Sequence, residues 1–265
     1  MLITGAAGNV ATLLRSRMIR ADRLLRLVDI AEISAAGPGE RVEILRGSVT
    51  DLEEMTSACV GVDAVVHLAA LSTEHPWAEV LLHNIHGSYV VFEAARRAGV
   101  SRVVFASSAH AVGFHPNDGK QAPDYLSPRP DTFYGLSKAT GEALGSLYHD
   151  RYGLDVICLR IGGCFPRPLD TDMLASWLSP DDAARLVEAA LSAPSPGFRV
   201  VWGISANTRR WWSLHEARSL GYHPRDDSER HAHEIPTGSG QFDTYLGGWF
   251  CSPELDAPDP GWQGG

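Results

Sequence analysis

Two short stretches of the chain carry side chains that can exchange a proton with an alcohol. The first is Ser107-Ser108-Ala109-His110, and the second contains Tyr134 and Lys138, which stand four residues apart. Residues four apart share one face of a helix, and an ammonium beside a phenol favours the phenolate and so lowers its pKa. Ser108 brought alongside would hold a substrate oxygen while Tyr134 takes its proton. Because such pairs are also common on helix surfaces, the prediction needs a nucleotide site elsewhere in the chain.

The start of the chain has the pattern of a nucleotide-binding turn. Leu2-Ile3-Thr4 is predicted to be a buried strand that leads through Gly5-Ala6-Ala7-Gly8-Asn9-Val10-Ala11 into a helix. Glycines let the backbone approach a pyrophosphate, and free N–H groups at a helix start attract it. A plain strand–helix turn is the alternative, but the order of strand, turn and helix favours nucleotide binding.

The next predicted strand, Leu24 to Asp29, ends in an acid 21 residues after Gly8. A carboxylate in that place accepts both ribose hydroxyls of an adenosine and repels a 2′-phosphate. No arginine follows in Ile30-Ala31-Glu32, so NAD is predicted rather than NADP. A solvated acid at a strand end is the alternative.

Apolar strands alternate with helices along the rest of the chain. Further strands are predicted at 42–45, 62–68, 103–106, 156–161 and 198–202, and helices from Thr50 or Asp51 and over 76–98, 134–152 and 179–193. This pattern predicts an α/β fold with a Rossmann-like, doubly wound parallel sheet. Residues 1–161 are expected to be the NAD-binding domain with the catalytic Ser, Tyr and Lys. Residues 162–265 are expected to be a small substrate-binding portion of the same unit, with a loosely structured tail beyond about Asp226.

Three isolated features of the sequence need an interpretation. Asn84 lies in the middle of a predicted helix, where asparagine is a poor helix former, so a polar task or a surface position explains it. His67 is interpreted as a strand histidine bonded to a neighbour. Trp211-Trp212 is interpreted as core packing rather than as a ligand-stacking pair.

Composition restricts the class of partner. The 265 residues carry a formal charge of −9, which argues against a nucleic-acid groove or a face for anionic membranes. No run approaches the roughly 20 apolar residues of a membrane span, and no signal peptide precedes the glycine motif, so the cytoplasm is expected. The four cysteines have no metal-type spacing, and no metal is predicted. The expected partner is a small molecule, and the helices at about 76–98 and 131–152 are candidate faces for a homo-oligomer.

The ordered set of these motifs resembles the extended short-chain dehydrogenase/reductase superfamily. A further group of segments is similar to NAD-dependent uronate dehydrogenases over nearly the full length, except in the C-terminal tail. These segments are Leu71-Ser72, 104–110, 134–138, Arg160-Ile161-Gly162, 173–177, Val201-Trp202-Gly203, Ser205-Ala206-Asn207 and Trp211-Trp212.

The resemblance implies oxidation of the anomeric carbon of a sugar acid to a lactone, with hydride passing to NAD. It makes Tyr134 the general base, gives Lys138 the task of lowering its pKa and holding the nicotinamide ribose, and lets Ser108 position the substrate oxygen. Asn84 belongs to the same catalytic group. The implied cofactor contacts are Gly5, Gly8, Asn9, Val10, Asp29, Ile30, Ser48, Val49, Leu68, Ala69, Ala70, Asn84, Tyr134, Lys138 and Ile161. The implied substrate contacts are Ser72, Ser108, Ala109, His110, Tyr134, Gly163 and Asp172.

Several positions depart from the family pattern. Ala109 replaces an asparagine, Gly163 replaces a serine, and Asp172 replaces the arginine that holds the substrate carboxylate. All three changes remove groups that hydrogen-bond to substrate, and the third reverses a charge, so a substrate other than a plain hexuronate is predicted. Arg167 is a candidate replacement for the arginine. Ser48-Val49 stands where Asp-Leu usually meets adenine, which predicts a modestly weaker hold on NAD.

Two other functions remain open. An epimerase or dehydratase would use bound NAD transiently, but the chain after Ile161 is short for a large nucleotide-sugar lobe. A non-catalytic NAD-binding protein would tolerate loss of the tyrosine or lysine, and here both are present.

Overall fold

Within the described residues, 1–236 and 244–255 of the computed structural model, seven parallel strands form one sheet. The strands in chain order are β1 Leu2–Thr4, β2 Leu25–Asp29, β3 Val42–Arg46, β4 Ala64–His67, β5 Arg102–Ser108, β6 Asp155–Ile161, β7 Gly163–Cys164, β8 Trp177–Leu178 and β9 Phe198–Gly203. The sheet order is β3-β2-β1-β4-β5-β6-β9, and β7 and β8 form a separate short pair. The predicted doubly wound α/β fold is confirmed.

Helices cover both faces of the sheet. They are α1 Asn9–Arg15, α2 Leu52–Cys59, α3 Trp77–Glu79, α4 Gly87–Arg97, α5 Phe133–Tyr152, α6 Met173–Ser176, α7 Pro180–Ser192 and α8 His215–Ser219. Successive strand residues point to opposite faces, so Leu2 packs in the same core cluster as residues of α2 and α4, whereas Ile3 packs with α1 and α7. Burial on both faces explains why the strands are apolar throughout.

The chain reverses its direction of winding between β1 and β4, which are neighbours in the sheet. Ligands bind in the crevice at such a point, beyond the carboxyl ends of the strands. Gly5 follows β1 there with φ +68°, and a Cβ at this position would lie 2.6 Å from the Ala69 backbone. Glycine is required at this turn for both reasons.

Helix starts follow the sequence signals closely. Oδ1 of Asp51 accepts the N–H groups of Glu53 and Glu54, and Oγ of Ser179 accepts that of Asp182. These bonds satisfy backbone donors that have no partner within the helix. The predicted helix starts at Asp51 and Ser179 are therefore confirmed.

The predicted continuous helix over 76–98 is wrong in detail. Pro76 precedes α3, residues Val80–His86 form a π-helical segment, and α4 follows from Gly87. A π segment widens the helix by one residue per turn and often marks a functional site. Asn84 lies inside it and is 2% exposed, so the surface reading of this residue is also wrong.

The expectation of a loose tail beyond Asp226 is wrong for the described part of it. Residues Ser228–Glu234 form 3₁₀ turns in which Ser228 is fully buried, and further turns follow at Gly248–Cys251 and Pro253–Leu255. The buried Leu246 joins the main core. Residues 237–243 and 256–265, on which the same expectation falls, lie outside the described residues.

The later half of the chain shares the sheet of the first half. β9 pairs in parallel with β6, for example Ile161 with Gly203. The boundary at residue 161 stays a prediction, since one sheet spans it. In the described part of the chain, no helix has the length and apolar character needed to cross a membrane.

Candidate active site

Ser108, Tyr134 and Lys138 meet in one cleft at the carboxyl ends of the strands. The cleft has a volume of about 660 Å³, which is typical of a small-molecule site. β5 delivers Ser108 at its last residue, and α5, which packs on β5, presents Tyr134 and Lys138 in its first two turns. All three side chains are more than nine-tenths buried. The trio predicted from the sequence is thus brought together in one cleft, with each side chain largely shielded from solvent.

The pKa of the Tyr134 phenol differs from the expectation. Burial raises the pKa of Tyr134 to about 12, while a hydrogen bond from Ser108 acts in the opposite direction. The predicted lowering by Lys138 is not observed, since burial has the largest effect on the phenol and the nearby carboxylate of Asp131 also raises its pKa. Ser108 is therefore the side chain that favours the phenolate in this structure.

Lys138 is hydrogen-bonded to the backbone of β5. Its Nζ donates to the carbonyl of Ala106 at 2.8 Å and lies 5.5 Å from the centre of the Tyr134 ring. Burial lowers the pKa of Lys138 to about 8, so the amine is charged at neutral pH and loses its charge above that value.

A buried ion pair supports the floor of the cleft. Arg160 on β6 donates to both carboxylate oxygens of Glu142 on α5, at 2.8 and 2.7 Å, and Ser107 donates to the same carboxylate at 2.6 Å. The guanidinium also donates to the carbonyls of Asp124 and Leu126. One charge pair therefore joins β5, β6, α5 and the loop that precedes α5. Glu142 continues the helix face of Tyr134 and Lys138 at the same four-residue spacing, a signal that sequence reasoning missed.

Asn84 acts at a distance from the cleft. Its amide accepts from the N–H of Leu71 at 2.8 Å and donates to the carbonyl of Leu71 at 3.0 Å and to Ser137 at 3.0 Å. Ser137 lies between Tyr134 and Lys138, and Leu71 precedes Ser72 in the cleft wall. The structure thus gives Asn84 the contacts of a residue that positions others.

The nucleotide side of the cleft is formed by the glycine turn. Gly5, Gly8, Asn9 and Val10 line it, and facing them are Leu68, Ala70 and Ile161. Ala69 lies behind Gly5, with its backbone 2.6 Å from where a Cβ of Gly5 would be. This set of backbone N–H groups and small side chains fits a pyrophosphate and a ribose, so the donor set suits NAD.

The residues predicted to meet adenosine lie further along the same edge. Asp29 accepts the N–H of Ala7 at 2.9 Å and that of Ala31 at 2.9 Å, and so fixes the glycine turn to β2. Ile30 beside it is 61% exposed, which leaves an apolar side chain open to a flat ring. Ser48 bonds to Thr50 at 2.8 Å, and Val49 packs against Gly87. These four positions do not line the cleft formed by the described residues.

The cleft is lined by every residue predicted to contact substrate. These residues are Ser72, Ser108, Ala109, His110, Tyr134, Gly163 and Asp172. Nδ1 of His110 lies 2.7 Å from Oδ2 of the fully buried Asp131, so the carboxylate accepts a hydrogen bond that fixes the ring. Asp131 was not predicted, although it stands directly before the capping residue Thr132 of α5.

Two of the departures from the family pattern, Gly163 and Asp172, have visible consequences. A Cβ at Gly163 would lie 3.0 Å from the sulfur of Met173, so a serine here would require Met173 to shift. Asp170 and Asp172 both line the substrate side, which makes this region acidic. Arg167 is 67% exposed and pairs with Glu234 at 2.7 Å. Among the described cleft residues Arg167 is not found, so its replacement of the lost arginine is not supported.

Sequence reasoning missed part of the cleft wall. Tyr245 to Phe250 line the cleft, although the segments that carried the resemblance end before them. The expectation that the resemblance fails in the C-terminal tail is wrong for most of it, since uronate dehydrogenases match 95% of the chain. Glu74 was also missed, and its carboxylate accepts the N–H groups of Phe133 and Tyr134 at 3.2 and 2.8 Å. A carboxylate at a helix start is stabilised by the helix dipole, so Glu74 fixes the first turn of α5.

Two readings of isolated residues are confirmed. His67 is buried beside Thr4, with Nδ1 2.8 Å from Oγ1, and burial followed by the charge of Lys138 lowers its pKa to about 3. Trp212 is 2% exposed and stacks on Trp202 at 5.0 Å, as expected of core packing. Trp211 and Trp212 also line the cleft.

No cluster of metal-ligating side chains occurs in the described ranges.

Comparison with known sequences places this chain among sugar dehydrogenases. Residues 1–167 match the NAD dependent epimerase/dehydratase family. A uronate dehydrogenase of Pseudomonas putida is 41% identical, covering 95% of each chain. Two Haloferax volcanii proteins are similar as well. The NAD-dependent glucose-6-phosphate dehydrogenase is 35% identical over 86% of this chain and 94% of its own, and the L-arabinose 1-dehydrogenase (NAD(P)(+)) is 36% identical over 85% and 96%.

Solved structures agree with this placement. The glucuronic acid dehydrogenase of Chromohalobacter salexigens superposes with a TM-score of 0.89 at 39% identity, covering 94% of this chain and 95% of its own. A variant uronate dehydrogenase from Agrobacterium tumefaciens complexed with NAD gives 0.88 at 36%, covering 94% and 96%. The predictions of NAD and of a dehydrogenase are confirmed. The chain belongs to the NAD dependent epimerase/dehydratase family and is an NAD-dependent oxidoreductase like the uronate dehydrogenases.

Proposed function

We propose that this protein oxidises the C1 hydroxyl of an uncharged sugar to a lactone, with NAD as the oxidant. The observation that carries the proposal is the cleft itself. It combines Ser108, Tyr134 and Lys138 with a substrate side on which Asp170 and Asp172 replace a cationic carboxylate clamp.

The residues of the chain divide the reaction between them. Bound NAD supplies the acceptor for the hydride that leaves C1 of the sugar. Ser108 hydrogen-bonds to the C1 oxygen and to Tyr134, and the phenolate of Tyr134 accepts the hydroxyl proton as the C1–O bond becomes a carbonyl. Lys138 would contribute positive charge near Tyr134 and would hold the nicotinamide ribose when NAD is bound. The ring oxygen remains attached to C1, so the product is a lactone.

Charge selects the substrate. A carboxylate or phosphate on the sugar would face Asp170 and Asp172, and like charges in a partly desolvated cleft repel one another. The relatives are named for a uronate, a sugar phosphate and arabinose, so the family fold accepts sugars of different charge. Arabinose is the uncharged member of that set and the model for the proposed substrate.

A panel of sugars tests the reaction directly. NAD with neutral aldoses, amino sugars, polyols and hexuronic acids should give NADH absorbance at 340 nm with at least one neutral sugar, and the product should be a lactone. Tyr134→Phe should bind NAD normally and lose at least ~100-fold in kcat, since general-base catalysis contributes that much. Isomerised sugar without net NADH would instead show an epimerase.

Substitution at one position tests the substrate class. Asp172→Arg should raise kcat/KM for glucuronate relative to a neutral sugar by at least ~10-fold, because it restores a bidentate partner for a carboxylate. Asp172→Asn is the matched control, which removes the charge without adding a donor fork and should give a smaller change. Glucuronate oxidation by the wild type that exceeds oxidation of every neutral sugar would overturn the assignment.

We further propose that the protein self-associates through α3–α4 and α5. These helices lie side by side, as the 5.3 Å contact between the rings of Trp77 and Phe133 shows. Both expose large apolar side chains, namely Leu81, Leu82, Tyr89, Phe133, Leu136, Leu147 and Tyr152. Exposed apolar patches of this kind mark protein–protein contacts.

A further inference from the structure

We propose that an open groove beside α7 binds a small molecule that carries two or more adjacent phosphate groups. The groove has a volume of about 780 Å³, which suits a small-molecule ligand. It is separate from the candidate active site, since no described residue lines both the groove and the cleft. Five arginines line it, and we call it the arginine groove: Arg17, Arg20, Arg23, Arg185 and Arg225.

Three segments that are far apart in sequence meet at the arginine groove. Along α7, Asp181, Ala184 and Glu188 recur every three or four residues, so they share one face of the helix, and all three line the groove. The other lining residues come from the segment 17–23, which follows α1, and the segment 221–225, which follows α8. The tertiary fold therefore collects guanidinium groups that no single stretch of sequence brings together.

One carboxylate in the arginine groove serves two guanidinium groups. Arg23 donates to Oε1 and Oε2 of Glu188 at 2.5 and 2.9 Å, and Arg20 lies 3.1 Å from the same carboxylate. Arg17 has a carboxylate of its own, with its Nε 2.5 Å from Oδ1 of Asp181. Glu188 can neutralise one charge only, so a positive charge is left over at Arg20 and Arg23.

A second excess charge lies on Arg225. Its backbone N–H donates to Oδ1 of Asp182 at 2.9 Å, but its guanidinium has no ion-pair or hydrogen-bond partner among the described residues. Arg185 pairs with both Asp182 and Asp226. Counting every carboxylate that pairs with these arginines, five guanidinium groups meet four carboxylates. The groove is thus locally cationic on a chain whose formal charge is −9.

The chemistry of these side chains identifies the ligand class. A guanidinium group forms two parallel N–H···O bonds with a phosphate, and a polyphosphate presents several such oxygens along a short chain. Arg20 is 53% exposed and Arg225 is exposed, so both can turn towards a ligand without leaving a buried contact. The pair of Arg17 with Asp181 is also partly exposed, and such pairs contribute little to stability. An anion with several charges can therefore take over these arginines.

Calorimetry with inorganic triphosphate tests the arginine groove on protein that is saturated with NADH, so that the cleft is occupied. Wild type should bind triphosphate, and raising NaCl from ~0.05 to ~0.5 M should weaken binding because exposed charges are screened. The double variant Arg20→Gln/Arg225→Gln should bind at least ~10-fold more weakly, since two charge-assisted hydrogen bonds are lost. These substitutions leave Glu188 bonded to Arg23, so no carboxylate is left unpaired.

The matched control is Arg209→Gln. Arg209 is an exposed arginine that pairs with Glu229 and does not line the groove formed by the described residues. Its replacement should leave the Kd of triphosphate unchanged. The double variant should bind NAD as wild type does, which shows that its fold is intact. ATP is the second probe, and it shows whether a nucleoside adds to the contacts of the phosphate chain.

Three results would overturn the proposal. The first is a wild type that binds neither triphosphate nor ATP. The second is a Kd that is unchanged in the double variant or weakened equally in Arg209→Gln, because binding would then not depend on the arginine groove. The third is a change in the sedimentation of the phosphate-free protein on replacing Arg20 and Arg225, which would assign the groove to a contact with a second copy of the chain.

Discussion

At the scale of single residues, the proposed mechanism depends on a serine that favours the ionised form of a buried phenol. Burial raises the pKa of Tyr134 to about 12, and the hydrogen bond from Ser108 is what opposes this shift. In the proposed mechanism the phenolate accepts the substrate proton, so the rate at neutral pH depends on the small ionised fraction of Tyr134. In that mechanism Ser108 acts both on substrate orientation and on the ionisation of Tyr134.

Replacing Ser108 should separate these contributions. In Ser108→Ala the phenolate loses its hydrogen bond, so the pKa of Tyr134 rises further and the rising limb of log kcat/KM moves to higher pH. At pH 7 we expect a loss of about 100-fold, which is typical of removing one donor to a developing oxyanion. The control is Ser219→Ala, which changes an exposed serine on α8 that is not among the described cleft residues. A uniform loss at all pH values, with no displaced limb, would show that Ser108 orients substrate only.

The reactive residues could be predicted from the sequence because their spacing follows from helix and strand geometry. Tyr134 and Lys138 share a helix face in any α-helix, and Ser108 ends a recognisable apolar strand. The titration of Tyr134 could not be predicted, since it depends on how much water the finished fold excludes. Asp131 was missed because its partners come from segments far apart in sequence.

At the scale of elements, the Arg160–Glu142 ion pair links β6 to α5, next to the strand end that carries Ser108. Both side chains are almost fully buried, and together they reach β5, β6, α5 and the loop at Asp124 and Leu126. Removing one charge leaves the other buried without compensation, which is more costly than removing both.

Stability measurements on this pair give a clear expectation. Arg160→Met should lower the free energy of unfolding by roughly 3–5 kcal/mol, and the double variant Arg160→Met/Glu142→Leu should lose less. Urea titrations followed by circular dichroism would measure both. Arg209→Met, which breaks the exposed pair with Glu229, should change stability little. Equal losses in the single and double variants would contradict a role for the buried charge.

Helix bounds and caps were predictable where a local signal exists, and the irregular elements were not. Asp51 and Ser179 cap their helices with side-chain oxygens three residues or fewer from the bonded N–H groups. The π-helical segment Val80–His86 has no such local signal. Its residue Asn84 is hydrogen-bonded to Leu71 and to Ser137 of α5. The bond to Ser137 forms only when α5 packs against the π-helical segment, so no local sequence signal announces it.

At the scale of the whole molecule, the sheet and the helices packed on it present two different surfaces, a cleft and an apolar helix face. The carboxyl ends of the strands form the cleft, and the exposed faces of α4 and α5 carry the apolar side chains proposed for self-association. α5 takes part in both, because its buried face holds Tyr134 and its exposed face holds Leu147.

Sedimentation velocity tests the association. Wild type should sediment as a dimer or larger species at micromolar concentration, and Leu82→Glu should shift it towards the monomer by placing a charge in the apolar contact. Tyr125→Glu, on an equally exposed apolar side chain in the loop before α5, should leave the association unchanged. A wild type that sediments as a monomer at every concentration would refute the proposed interface.

The part of the cleft wall formed by residues 245–250 has a consequence for the order in which the site is completed while the chain is being synthesised. The final strand of the sheet ends at Gly203, whereas Leu246, Gly247 and Phe250 are translated some forty residues later. Domains fold from the N-terminal side as the ribosome releases them, so the sheet and its nucleotide turn can form first. A nascent chain arrested between these points would carry Tyr134 in a cleft open on the sugar side. Catalytic competence is thus delayed beyond the folding of the framework that supports it.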